Sequence, residues 1–396
     1  MPGESLAHIF LIFLRLGLTS FGGPIAHLGY FRDEFVTRRR WLSERGYAEL
    51  VALCQFLPGP ASSQVGMALG LFKRGYPGAL VAWAGFTLPS AIAMILIAFG
   101  IADHASMYTS GVLHGLKVVA VAIVMQAVWG MARNLCTDAP RIAIMLVATC
   151  AVLLFPSALT QIAILVVSAL CGLFLSRRIN LERHESLPIS VGRRAGSWWL
   201  ILFFLPLVGL PLLTTLIPNH ALASLAAFYR AGALVFGGGH VVLPLLQMSV
   251  VTPGWISNET FLAGYAAAQA VPGPLFTFAA FLGASMTAAP SGWSGGILCL
   301  LAIFAPSFLL IAGVLPFWEQ VRRNSSAQAA LAGINAAVVG LLLAALYDPV
   351  WTSAIHRPAD FVLAMLAFAA LMIWKLPPWL VIAGGSIAGL LLNMML

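Results

Sequence analysis

Long uncharged apolar stretches recur along this chain and limit its fold more than any other feature of the sequence. Residues 77–101, 198–217 and 294–315 are examples, and a helix needs about 20 such residues to cross the hydrocarbon core of a membrane. Lipid offers the backbone no hydrogen-bonding partner, so spanning segments must be helices or a closed barrel, and runs this long lack the alternation of barrel strands. We therefore predict an all-α polytopic membrane protein with roughly 10–13 membrane segments.

The charged residues agree with this fold class. They make up 9% of the chain, against about 25% in soluble domains. The net charge of +8 comes from lysines and arginines beside apolar stretches, where they set topology, so nucleic acid is not an expected partner.

The five cysteines are scattered without CxxC spacing and are expected to be apolar packing residues. The sequence contains no Walker A, HExxH or CxxCH motif, so we expect neither an enzyme nor a cofactor.

Two copies of one ordered set of motifs divide the chain. The sequence SFGGPIAHL around Phe21 returns as VFGGGHVVL around Phe236, and ALCQFLPGP near Gln55 returns as AAAQAVPGP near Gln269, at offsets of 215 and 214. Three further pairs occur in the same order: WLS with WIS, LPS with APS, and GLKVV with GINAA. We therefore predict an N-terminal repeat over 1–176, a basic cytoplasmic linker over 177–197, a connecting transmembrane helix over 198–217 and a C-terminal repeat over 218–396.

The single connecting helix predicts that the second repeat is inverted in the membrane. Arginines surround the first PGP motif on the side that we assign to the cytoplasm, together with the N-terminus and the linker. The matching loop of the second half, at 251–257, carries no lysine or arginine, as an outside loop should. Inverted repeats with broken helices are typical of secondary transporters, which bind substrate near the membrane midplane.

The motifs Pro58-Gly59-Pro60 and Pro272-Gly273-Pro274 interrupt apolar helical stretches, because proline removes an amide donor and glycine permits an unusual backbone path. We expect two half-helices at each motif, and the later ones begin near Ser62, Ser63 and Thr277. Their free amides and positive dipole ends favour a bound anion, and the hydroxyls add donors. The alternative is that each motif is only a kink or a surface loop.

Clustered glycines predict a second pair of breaks, at Gly22-Gly23 and at Gly237-Gly238, each followed by a new helix. The alternative is that these glycines only allow helices to pack closely. His27 and His240 follow the two glycine pairs at positions that are not equivalent. Either ring can donate to an anion, and His27 and Glu49 are candidates for proton coupling. The competing interpretation is a structural hydrogen bond.

Arg15 and Arg230 each lie six residues before the phenylalanine of an FGG motif, inside apolar stretches. A guanidinium in a membrane segment costs on the order of 3 kcal/mol, so a functional role is the default expectation. Its planar fork suits tetrahedral oxyanions, and two guanidiniums balance a dianion. The alternative is that both side chains reach the membrane surface.

Gln55 and Gln269 are equivalent and close to the PGP motifs, where they line a substrate cavity or bridge freed backbone groups.

The paired motifs FGGP…WLS…QFLPGP and FGGGH…WIS…QAVPGP resemble those of the chromate transporter family in its long two-domain form. The resemblance covers essentially the whole chain. It implies a bacterial inner-membrane exporter of chromate, driven by the membrane potential or a proton gradient, that confers chromate resistance. The residues that match the family motifs are Phe21, Gly22, Gly23, Pro24, Pro58, Gly59 and Pro60, with Phe236, Gly237, Gly238, Pro272, Gly273 and Pro274.

Other interpretations remain open beside this resemblance. Gly239 and His240 stand where the first half has Pro24 and Ile25, so the two halves are not interchangeable. Sulfate matches chromate in charge and shape, so it is an expected competitor or an alternative cargo. A sulfate transporter or an oxyanion channel would fit the same motifs. Chromate and the lipid bilayer are then the expected partners, while the coupling ion and the choice between monomer and homodimer stay undecided.

Overall fold

The computed structural model describes residues 4–21, 23–103, 107–174, 187, 191–236, 241–322 and 324–395. Helices, turns and loops make up these ranges, and no strand occurs in them. Five of their helices are long and apolar enough to cross a membrane, and six shorter apolar helices have 10–17 residues. The predicted all-α polytopic membrane fold is confirmed.

The described part of the first half contains seven helices and one π-helical turn, Asp33–Arg38, which follows α2. The helices are α1 Leu6–Thr19, α2 Gly23–Arg32, α3 Glu44–Phe56, α4 Ala61–Asp103, α5 Met107–Leu135, α6 Ala139–Leu154 and α7 Ala158–Phe174.

The second half follows the connecting helix α8, Arg193–Leu216, which starts within the predicted linker; residues 175–186 and 188–190 of that region lie outside the described ranges. Short 3₁₀ turns at Leu275–Thr277 and Leu315–Phe317 and a π-helical turn at Leu346–Trp351 join its helices. These are α9 His220–Leu234, α10 Val242–Val250, α11 Asn258–Ala270, α12 Phe278–Ser285, α13 Gly292–Val314, α14 Trp318–Arg322, α15 Ser325–Ala345, α16 Thr352–Ala354, α17 Pro358–Met372 and α18 Pro378–Met395.

Helix α4 turns back on itself shortly after it begins. Its backbone leaves helical geometry at Arg74 and Gly75, and Gly70 and Gly78 lie so close that neither has room for a Cβ atom. In a straight helix, residues eight apart would be about 12 Å apart. The start of α4 therefore packs against the later part of the same helix. Gly283 of α12 and Gly295 of α13 make the corresponding close contact in the second half.

Glycines also mark the places where long helices cross. Gly17 of α1 packs on the backbone of Phe86 in α4, and Gly232 of α9 packs on the backbone of Ile303 in α13. The Gly17 and Gly232 positions differ by the same 215 residues as the FGG motifs. Without a side chain in the way, the two backbones approach closely, which is how helices gain packing energy in lipid.

Two further crossings join the halves to each other. Gly115 of α5 touches the backbone of Gly385 in α18, and Gly172 of α7 touches the backbone near Gly333 in α15. The end of each half thus packs on the middle of the other half. We call these the exchanged contacts.

Candidate functional site

Both PGP motifs break the helical path. Helix α3 ends at Phe56 and α4 begins at Ala61, and α11 ends at Ala270 before helical turns resume at Leu275. Gly59 has φ of 121° and Gly273 has φ of 110°, values that side-chain-bearing residues rarely adopt. Glycine is therefore required at the centre of each motif.

Each PGP loop is held by the opposite half of the chain. The N–H of Gly59 donates to the carbonyl of Val235 at 2.7 Å, and the N–H of Gly273 donates to the carbonyl of Ser20 at 3.0 Å. Val235 and Ser20 directly precede the phenylalanines of the two FGG motifs. The residues that precede the two FGG motifs therefore bind the PGP loops pairwise across the halves.

A serine closes the space beside each of these glycines. A Cβ atom on Gly59 would lie 2.5 Å from Ser307 Oγ, and one on Gly273 would lie 2.6 Å from Ser90 Oγ. Both serines are buried and come from the matched LPS and APS motifs. The fit leaves no room for a methyl group at either glycine.

His27 of α2 connects Ser20 to the start of α4. Its ring is buried, with Nε2 3.2 Å from the carbonyl of Ser20 and Nδ1 3.4 Å from Ser62 Oγ. A carbonyl only accepts, so the ring proton is assigned to Nε2, and the Ser62 hydroxyl donates to Nδ1 of the neutral ring. The start of α4 is thereby joined to the carbonyl that receives the Gly273 N–H.

We call the polar residues around Gly59 and Gly273 the central polar cluster: Ser20, His27, Ser62, Ser63, Gln64, Thr87, Ser90 and Ser307. All of them are buried. Gln64 donates from Nε2 to the Pro58 carbonyl at 2.7 Å, and Ser90 donates to the Thr87 carbonyl at 3.0 Å. The cluster contains no lysine, arginine or carboxylate, so its side chains offer mostly neutral donors.

Several polar atoms of this cluster have no partner. Among the described residues they are Ser20 Oγ, Ser63 Oγ, Gln64 Oε1, Thr87 Oγ1 and Ser307 Oγ. Leaving a buried polar group unbonded costs about 1–3 kcal/mol, so such groups are rare and usually mark the place of water or a ligand. Four of the five are hydroxyls, which donate readily to an oxyanion.

Arg15 lies in an ion-pair cluster away from these atoms. Its guanidinium is 2.6 Å from Glu34 Oε2, and Arg39 is 2.7 Å from Glu34 Oε1. The Arg15 side chain is 55% exposed. Burial by itself raises the pKa of Glu34, but hydrogen bonds from Arg39 and Arg15 and their charges lower it below the ordinary carboxyl value.

Arg230 lies in a separate cavity between α7, α9 and α10. The residues around it include Gln161, Leu245, Met248 and Ser249. Within the described ranges neither Arg230 nor Arg15 makes a hydrogen bond or ion pair with the central polar cluster. The structure therefore does not bring the two predicted arginines together.

The remaining predicted residues have varied surroundings. Gln55 is exposed, whereas Gln269 is partly buried and hydrogen-bonded to Tyr265. Thr277 donates to the Pro274 carbonyl at 2.9 Å, and Glu49 is buried. The predicted residues Gly22, Gly237, Gly238 and His240 lie outside the described residues.

Lys117 of α5 is paired with Glu259 of α11 at 3.2 Å.

Sequence reasoning missed the roles of five residues: Ser20, Gln64, Thr87, Ser90 and Ser307. Ser90 and Ser307 were noted only as repeat markers. The available signal was that a small hydroxyl residue stood at matched positions after a proline in both halves. Their contact with the glycines joins residues far apart in the chain.

The match to known proteins falls on both halves. A family model described as the chromate transporter matches residues 7–173 and 222–390. The chain belongs to the chromate transporter family. It is therefore a multi-pass membrane transporter and not an enzyme.

Named relatives cover nearly the whole chain. A chromate transport protein of Pseudomonas aeruginosa is 27% identical over 94% of this chain and 89% of its own. A probable chromate transport protein of Synechococcus elongatus is 26% identical over 98% of this chain and 96% of its own. A chromate transport protein of Cupriavidus metallidurans is 24% identical over 98% of this chain and 94% of its own. No solved structure matches the chain.

Proposed function

We propose that this protein exports chromate from the cytoplasm across the bacterial inner membrane and confers chromate resistance. The observation that carries the proposal is the central polar cluster, whose buried hydroxyls lack partners among the described residues and lie in the same buried region as the two PGP loops. A chromate dianion placed there would accept hydrogen bonds from hydroxyls that otherwise remain unsatisfied.

The chemistry of the cluster suits a desolvated oxyanion. Neutral hydroxyl donors and the amides at the start of α4 lower the energy of an anion without holding it as tightly as a buried cation would. Weak binding of this kind allows release on the far side. Sulfate has the same charge and tetrahedral shape, so it competes for the same donors in this proposal.

Alternating access follows from an inverted relation between the halves, which we propose and which the exchanged contacts support. The Gly59–Val235 and Gly273–Ser20 hydrogen bonds are equivalent under the repeat. A rocking motion that opens one of them leaves the other closed, so the cluster faces one side at a time. The N-terminus and the basic linker lie in the cytoplasm in this scheme.

The other predicted residues take places along the same path. Arg15, with Arg38 and Arg39 around Glu34, keeps a positive surface at the cytoplasmic entrance. Such a surface raises the local concentration of anions. Gln269 and Thr277 steady the second PGP loop, and Gln55 is exposed beside the first.

Export against a gradient needs an energy source, and His27 and Glu49 are the residues we propose for proton coupling. His27 bridges Ser20 and Ser62, so a proton on Nδ1 would replace the acceptor that Ser62 uses. That change reverses the hydrogen bond between His27 and Ser62, because a hydroxyl can also accept, and it frees the Ser62 hydroxyl proton to donate elsewhere. The membrane potential alone is the alternative energy source.

Chromate uptake into inverted membrane vesicles tests this proposal. The vesicles receive an imposed proton gradient, a membrane potential or neither, with and without excess sulfate. Accumulation that requires a gradient supports an exporter, and inhibition by sulfate supports a shared oxyanion site. Equilibration without accumulation would identify an oxyanion channel, and the absence of any flux would remove chromate as the substrate.

A further inference from the structure

The two matched arginines, Arg15 and Arg230, have different surroundings. Arg15 is neutralised by Glu34 at 2.6 Å. Arg230 makes no hydrogen bond or ion pair with any residue in the ranges that the structure describes. Their equivalence in sequence raises the question of what replaces Glu34 in the second half.

The repeat offset gives the register between the halves at this point. Arg15 and Arg230 differ by 215 positions, as do Phe21 and Phe236. The same offset carries Glu34 to Ser249. A neutral serine stands where the first half has the carboxylate.

The cavity at Arg230 confirms this placement. Ser249 lines it together with Arg230, and Gln161 enters from α7. The Ser249 hydroxyl donates to the Leu245 carbonyl at 2.8 Å. The second half therefore lacks the negative charge that Glu34 provides in the first half, and the serine proton is already used.

Gln161 supplies the second polar group. It is 4% exposed, and its amide has no partner among the described residues. The rest of the wall is apolar, with Ile162, Leu165 and Leu234. A guanidinium and an amide in an apolar cavity leave a place for a negative charge that none of the described residues provides.

We propose that Arg230 and Gln161 form a second anion-binding site, which takes a small inorganic anion in the place of the missing carboxylate. The guanidinium supplies charge and paired donors, and the Gln161 amide supplies a further donor. Under the proposed inversion this site faces away from the cytoplasm. The transported oxyanion as its occupant rests on the proposed function, whereas chloride as its occupant does not.

Thermal unfolding of the purified full-length protein in detergent tests the site. Gluconate is replaced stepwise by chloride, sulfate or chromate at constant ionic strength, and the shift in Tm is recorded. An anion that binds only the folded state raises Tm. The matched variants are Arg230→Gln, which removes the cation, and Ser249→Glu, which builds in the carboxylate of the first half.

We expect both variants to lose at least half of the Tm rise of the wild type. Ser249→Glu should also have a higher Tm than the wild type in gluconate, because its carboxylate pairs with Arg230. Glu34→Ser should gain an anion-dependent rise, because Arg15 then lacks its partner. If chloride raises Tm as much as the oxyanions do, the occupant of the site is a halide. If only the oxyanions raise Tm, the occupant is the transported ion.

Two results would overturn the proposal: a wild type whose Tm ignores all three anions, or variants that keep the full rise. Because this measurement needs no transport, a failure of chromate flux would leave the site standing and remove only the proposed cargo.

Discussion

Gly273 donates its backbone N–H to the carbonyl of Ser20 at 3.0 Å, across the boundary between the two halves of the chain. The same carbonyl lies 3.2 Å from His27 Nε2. The Ser20 carbonyl oxygen thus accepts hydrogen bonds from a loop of the second half and from a helix of the first half. The proposed rocking of the two halves would stretch or break this contact in only one of its two end states.

Alanine at Gly59 should abolish transport and destabilise the protein. Its φ of 121° is unfavourable for alanine, at roughly 1–2 kcal/mol, and the methyl group would meet Ser307 Oγ. Thermal unfolding and chromate flux measure both effects. Gly29→Ala is the matched control, since its Cβ would meet nothing within 4 Å. Equal behaviour of the two variants would show that the loop geometry is unimportant.

Alanine at Ser307 should reduce chromate flux without reducing stability. Its hydroxyl is buried and has no partner within the described part of the chain, so its removal can stabilise the protein by up to about 1–3 kcal/mol. Ser386→Ala is the control, because that hydroxyl only bonds back to Ile382 in α18. Wild-type flux in Ser307→Ala would exclude this hydroxyl from the site.

Glutamine at Glu34 should lower stability at neutral pH but not in acid. The carboxylate has a depressed pKa in the folded protein, so its contribution is present above the ordinary carboxyl pKa and disappears as the pH falls through the folded value. Its hydrogen bonds to arginines are worth roughly 1–3 kcal/mol in total after allowance for the exposed partners. Unfolding of wild type and Glu34→Gln from pH 7 downward should show the two curves approaching each other below the ordinary carboxyl pKa and meeting below the depressed pKa of the folded protein. A constant difference would mean that the charge is not involved.

Cysteine labelling tests the inverted arrangement of the halves. Thr37 and Thr252 are equivalent in sequence and both are exposed. In a variant whose five natural cysteines are replaced, Thr37→Cys should react with a membrane-impermeant thiol reagent only from the cytoplasm. Thr252→Cys should react only from outside. Labelling of both from one side would contradict the inversion and remove the basis for alternating access.

The breaks in the helices were predictable because they are local. Proline and glycine act on their own backbone, so Pro58-Gly59-Pro60 predicts the end of one helix and the start of another wherever it lies. The membrane fold was predictable for the same reason, because a membrane-spanning helix is recognised from about 20 consecutive apolar residues.

The partners of these breaks could not be predicted in the same way. Gly59 meets Ser307, and nothing near either residue in the sequence indicates the contact. Arg15 was expected to contact substrate. Its side chain is instead half-exposed and pairs with Glu34 in the π-helical turn after α2. The repeat gave positions that correspond, but only the packing shows which corresponding residues touch.

The central claim is that chromate binds at the central polar cluster, and equilibrium binding of chromate to the purified protein tests it most directly. The comparison is between Ser249→Glu, which removes the proposed second site, and the same protein carrying Ser63→Ala and Ser307→Ala. We predict saturable binding, displaced by sulfate, that weakens at least about tenfold when the two hydroxyls are lost. Equal affinity with and without these hydroxyls would contradict the claim and place the chromate site elsewhere.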